Sequence, residues 1–113
     1  MRVVLDECLP RPLGDLLKGH RVTSVQKEGW AGVTNGRLLK SIADAGLDAL
    51  VTVDKNLPSQ HSIRSLRFGI VVVRARSNKL ADLAPLAPKI LEVLKSLRPG
   101  AVVVVSARRR RRS

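Results

Sequence analysis

Four short runs of branched aliphatic residues constrain this chain more than any other feature. They are Val3-Val4-Leu5, Ala49-Leu50-Val51-Thr52-Val53, Gly69 to Val73 and Ala101 to Val105. Uninterrupted apolar runs of this length suit strands buried on both faces of a sheet, the usual condition of parallel strands. A fifth segment, Arg21 to Val25, offers only Val22 and Val25 as apolar residues and reads as a further short strand. Between these runs the apolar residues recur at helical spacing. Arg11 to Lys18 carries Leu13, Leu16 and Leu17, with Pro10 and Pro12 before or within the first turn and Gly19 as a stop. A second helix opens at Thr34 or Asn35, runs to about Ala45 with Leu38, Leu39, Ile42 and Ala43 on one face, and ends at Gly46. Lys79 to Leu97 contains a long helix with Leu83, Leu86, Ile90, Leu91 and Leu94 on its apolar side, its regular part starting near Pro88. Lys27 to Val33 is a loop around Trp30, a short helical turn is expected between Ser59 and Leu66, and Pro99-Gly100 is a turn.

Strands alternating with helices predict parallel pairing through right-handed crossovers. The expected fold class is therefore α/β: a three-layer domain with a short, mostly parallel open sheet flanked by helices. The chain has 113 residues, 44% of them hydrophobic, with one Trp, one Phe and no Tyr. That is enough for one core, assigned to residues 1–107, followed by a basic tail over 108–113 that reads as a disordered arm. Cys8 is the single cysteine, so an internal disulfide is excluded. No signal-peptide pattern opens the sequence and no apolar stretch approaches the roughly 20 residues of a membrane span, so a cytoplasmic protein is expected.

A five-stranded open sheet of this kind commonly takes the order 2-1-3-4-5, and ligands bind outside the carboxyl ends of the strands at its switch point, between strands 1 and 3. Strand 1 ends in Asp6 and strand 3 in Asp54. Adjacent strands lie roughly 4.8 Å apart, so this order makes the two acids neighbours. Close carboxylates repel unless a cation or proton lies between them. Mg²⁺ or Mn²⁺ bound by Asp6 and Asp54, with water and substrate phosphate completing the shell, is the arrangement of metal-assisted phosphodiester cleavage. Glu28, after strand 2, and Asn35, at the second helix, are further candidates at the same edge. Plainer readings stand beside these: an acid after a strand often caps the next helix, Glu28 suits a solvated loop, and Asn35 suits an ordinary N-cap.

The net charge is +12, and the five arginines Arg108 to Arg112 account for less than half of it, so the body itself is basic. An excess of that size favours polyanions, of which nucleic acid is the commonest, and a cleft with acids at its floor and bases on its rim would suit RNA, single strands in particular. Lys55, Arg74 and Arg76 follow strand ends and, with Arg11 near the start of the first helix, are the candidate phosphate contacts, although cations in such places are often merely solvated. His20 and His61 lack partners at zinc-ligand spacing. No Gly-rich loop follows strand 1, which counts against a P-loop or a dinucleotide fingerprint.

The opening Leu5-Asp6-Glu7-Cys8-Leu9-Pro10 resembles the DENLP-type start of a family of small PIN-like proteins, and Leu50-Val51-Thr52-Val53-Asp54-Lys55-Asn56 is similar to the family's LVT-x-D-K-D stretch. Glu28 and Asn35 fall where PIN nucleases place a Glu after the second strand and an Asp at a helix start. The resemblance covers most of residues 1–76. It implies a PIN-like fold, a divalent-metal ribonuclease site at Asp6, Glu28, Asn35 and Asp54, a toxin role with a small antitoxin as partner, and the dimerisation common among such proteins. Two departures stand out: Cys8 replaces an Asn, and Asn35 replaces an acid. The second removes a negative charge from the implied site, and so leaves a catalytically idle PIN-like module, binding RNA or protein, as the alternative. A phosphatase-like or receiver-like α/β domain is a third reading, without the surrounding residues such domains need.

Overall fold

The computed structural model describes residues 1–57 and 65–106. The expected turn between Ser59 and Leu66, His61 and the 108–113 tail fall wholly or largely outside them.

Five strands form one open sheet in the order β2-β1-β3-β4-β5: β1 Arg2–Leu5, β2 Arg21–Ser24, β3 Ala49–Thr52, β4 Gly69–Arg74 and β5 Val102–Ser106. Every pairing is parallel, so the sheet is more uniform than the mostly parallel one expected. Register is set by side-chain parity. Val3, Leu5, Ala49, Val51, Val71 and Val73 face one layer, whereas Val4, Leu50, Ile70 and Val72 face the other. Shifting any strand by one residue would exchange its two apolar faces.

The first layer contains α1 (Pro12–Asp15), α3 (Leu80–Leu83), a 3₁₀ turn over Ala84–Leu86, and α4 (Ala87–Ser96). Leu13, Leu17, Leu83, Leu86, Ile90 and Leu94 bury there against the sheet. The opposite layer is α2 (Asn35–Asp44), with Leu38, Leu39 and Ile42 packed beside Leu57 and Phe68. This makes the three-layer α/β architecture.

Two helices are shorter than the apolar spacing predicts. α1 stops at Asp15, short of Lys18, although Leu17 is still buried from the following turn. The Lys79–Leu97 segment is broken by its prolines: each lacks an amide hydrogen and is tolerated only in a first turn. Pro85 accordingly lies in the 3₁₀ turn, second after Ala84, and Pro88 in the first turn of α4. At the start of β4, Gly69 is required by packing, since a Cβ there would collide with the Leu97 side chain and lie 2.9 Å from the Arg98 carbonyl oxygen. Among the described residues, no helix is long and apolar enough to cross a membrane.

Candidate functional site

In an all-parallel sheet the carboxyl ends of all strands share one edge. Asp6 follows β1 and Asp54 follows β3, and those two strands are adjacent at the point where the strand order reverses. The Asp6 amide continues the β1–β3 ladder by donating to the Val51 carbonyl at 2.9 Å. One step further on stands Thr52, a fully buried hydroxyl at the end of an apolar strand. Its Oγ1 donates to Asp6 Oδ2 at 2.6 Å and accepts the Asp54 amide hydrogen at 3.1 Å. A single side chain therefore ties the two acids together.

The remaining oxygens are also oriented. Asp6 Oδ1 accepts its neighbour's amide, Glu7 N–H, at 2.8 Å, and Asp54 Oδ1 accepts Asn56 N–H at 2.9 Å in a tight turn anchored by buried Leu57. Asp54 Oδ2 has no hydrogen-bond partner among the described residues. Glu7 turns towards the β2–α2 connection, where its carbonyl accepts from Gln26 at 2.9 Å and its carboxylate from Gly32 N–H at 3.1 Å. Cys8 is exposed as a residue, yet its thiol is pushed above its ordinary value. Partial desolvation is the larger cause, followed by the negative charges of Asp6, Glu7 and Asp54. A thiol raised in this way is a poor thiolate nucleophile.

The other candidates lie around this centre. Glu28 is exposed, and its carboxylate accepts from the Thr23 hydroxyl at 2.7 Å, so its position is set by β2 rather than by Asp6 or Asp54. Thr34, not Asn35, caps α2, accepting from Arg37 N–H at 3.4 Å. Asn35 is the first helical residue, and its side-chain amide has no hydrogen-bond partner among the described residues. Since α2 returns the chain from β2 to the parallel β3, its N-terminus lies at the carboxyl edge of the sheet. Among the described residues no three of His, Cys, Asp and Glu gather closely enough to hold a metal ion. Asp6 and Asp54 are the two acids that the structure links at this edge, through Thr52.

The basic candidates ring the edge. Arg74 ends β4 on the sheet face of Ile70 and Val72, the face to which Thr52 belongs through its pairing with Val72. Arg76 lies in the next connection, which Asn78 ties to the β1–α1 loop by donating to the Cys8 carbonyl at 3.0 Å. Lys55 is exposed beside Asp54. Arg11, at the start of α1, lines a groove of about 520 Å³ with Lys27, Thr23 and Ser24. Ion pairs among the described residues are confined to Lys40–Asp44 and Lys95–Glu92, so all four candidate cations lack a carboxylate partner there.

Sequence reasoning missed Thr52. The signal was present: a hydroxyl in a run of apolar residues must find a partner when buried, and the nearest acid on the neighbouring strand is Asp6. No protein-family model, curated protein or solved structure matches this chain.

Proposed function

We propose that this protein is a PIN-like, divalent-metal-dependent ribonuclease acting as the toxin of a toxin–antitoxin pair in the cytoplasm. The observation that carries the reading is the hydrogen-bonded chain Asp6–Thr52–Asp54 at the switch point of the sheet. Two acids held together, with four unpaired cations on the surrounding connections, give a charge pattern that accepts a metal–phosphate unit and repels neither half of it.

In this reading Asp6 and Asp54 hold Mg²⁺ or Mn²⁺ through oxygens that their backbone and Thr52 donors have already oriented. The ion, when bound, supplies charge neutralisation at the scissile phosphate and a more acidic water. Lys55 and Arg74 hold the phosphate, while Arg11 and Arg76 hold its neighbours along a single strand of RNA. Glu28, fixed by Thr23, orients the attacking water from the β2 side. Asn35 contributes a neutral amide at the N-terminus of α2, where the helix dipole favours an anion.

The test is direct: RNA is incubated with the purified protein and Mg²⁺ or Mn²⁺, beside a chelated sample and Asp6→Asn. Cleavage that needs the ion and disappears in the variant is expected. Cleavage surviving both treatments would refute the mechanism. The toxin role predicts that expressing the chain arrests growth, that Asp6→Asn relieves the arrest, and that a short neighbouring gene encodes the antitoxin.

A second reading has its own support. With Glu28 engaged by Thr23 and Asn35 neutral, the metal set reduces to two acids, as befits a PIN-like module that binds RNA or a protein without cutting. Calorimetric titration separates the two: metal binding lost in Asp54→Ala favours the enzyme, and salt-sensitive RNA binding indifferent to metal favours the module.

A further inference from the structure

β5 closes one side of the sheet with four consecutive valines, Val102 to Val105. Val103 and Val105 share the face of Val71 and Val73, the side that α4 covers. Val102 and Val104 share the face of Ile70 and Val72 but stand 38% and 53% exposed. Apart from Met1 they are the only large apolar side chains so exposed among the described residues. An unpaired edge is a template for another strand, and proteins usually blunt it with Lys, Pro or a bulge. Val102 to Val105 contains no such device, whereas the opposite edge, β2, begins with exposed Arg21 and ties its Thr23 hydroxyl to Glu28.

We infer that the edge of β5, where the sheet ends among the described residues, receives an extended, acidic segment of a partner protein, with alternate apolar residues laid against Val102 and Val104. The charge around the strand selects this occupant. Arg98 precedes β5, Arg74 pairs with Ser106 at its end, and Lys89 Nζ reaches the Ser106 carbonyl at 3.2 Å. Glu92 on the covering helix is already paired with Lys95. A second copy of this chain fits poorly: antiparallel pairing of two β5 edges would set the Arg98 end of one against the Arg74 end of the other. An acidic strand meets the same cations with opposite charge, its backbone pairing supplies affinity, and the valines select side chains of alternating character. About five residues, roughly 17 Å of strand, would match the length of β5. β3 and β4 separate β5 from β1, so Val102 and Val104 lie outside the Asp6–Asp54 centre; Arg74 alone is shared with the ribonuclease reading, and the test does not alter it.

The probe is the peptide Glu-Val-Glu-Val-Glu-Val-Glu, titrated into the full chain by fluorescence anisotropy, with backbone amide shifts recorded by NMR. A peptide of the same composition in block order, valines first and glutamates after, controls for charge alone. The alternating peptide should bind at least about tenfold more tightly than its block-ordered isomer and shift the amides of Val102 to Ser106. The charge-neutral double variant Val102→Ser, Val104→Ser should loosen it by a similar factor. Absence of binding, equal binding of the two peptides or an unchanged affinity in the variant would overturn the inference. So would a dimer formed without peptide and dissolved by the same two substitutions, which would assign the edge to a second copy.

Discussion

Thr52 Oγ1 lies 2.6 Å from Asp6 Oδ2, joining the last residue of β3 to the first residue beyond β1 at the only place where the sheet reverses its strand order. The same hydroxyl accepts the Asp54 amide hydrogen, so one buried oxygen sets the attitude of both acids.

Replacing that hydroxyl should therefore cost both stability and function. Thr52→Val keeps the shape but leaves Asp6 Oδ2 without its donor and the Asp54 amide without an acceptor, a loss of about 1–3 kcal/mol measurable by urea denaturation. Removing a group that orients a metal ligand typically weakens metal binding or activity by about ten- to a hundredfold. Thr52→Ser, which retains the hydroxyl, should recover most of both. A Val variant with unchanged Mg²⁺ affinity and activity would remove Thr52 from any functional role.

Cys8 is a built-in reporter of the charge at the site. Its raised pKa leaves less thiolate at a given pH than an unfolded cysteine has, so alkylation by iodoacetamide at pH 8 should be slower in the folded chain. The rate should climb towards the unfolded value only at higher pH. Asp54→Asn removes one of the charges that raise the pKa and should speed the reaction. Mg²⁺ bound between Asp6 and Asp54 should do the same in the natural chain and much less in the variant. Rates indifferent to Mg²⁺ would count against metal at these carboxylates.

The phosphate contacts make a different prediction. Arg74→Ala and Lys55→Ala should each weaken RNA binding about equally for all sequences. Each should also reduce the slope of log affinity against log salt by about 1. Filter binding in the presence of chelator reads this without cleavage. Unchanged slopes would leave these side chains as solvated surface.

Gly69→Ala tests the packing that holds β4 in place. The new methyl group would meet the Leu97 side chain and the Arg98 carbonyl, and the turn leading into β5 would have to shift. Overpacking of this kind costs about 1–3 kcal/mol. A thermal melt lowered by several degrees is expected, whereas an unchanged melt would show that the turn yields freely.

The sheet was legible because its strands are written in valine, leucine and isoleucine with little else, and because helical segments between them leave parallel pairing as the natural solution. The adjacency of Asp6 and Asp54 followed from that order alone. Local backbone length was less legible. Leu17 shares its spacing with Leu13, yet the helix ends before it, because burial of a side chain does not require the residue to be helical. The division of the last helical segment was half visible, in Pro85 and Pro88. Thr52 escaped notice because its β-branched shape passes for a strand residue, and the bond that gives it meaning joins positions 46 residues apart. Glu28 shows the opposite case: its place after β2 is as expected, but its partner, Thr23, lies five residues away on its own strand.

The parallel pairing of β1 with β3 also has a consequence for synthesis. β1 occupies the interior of the sheet, between one strand encoded shortly after it and another that begins at Ala49. A growing chain cannot bring its two acids together until that later strand has left the ribosome and docked, a long-range closure of the kind that slows folding. Connectivity alone thus keeps the two acids of the nascent protein apart, and any fragment ending before Asp54 carries only one of them.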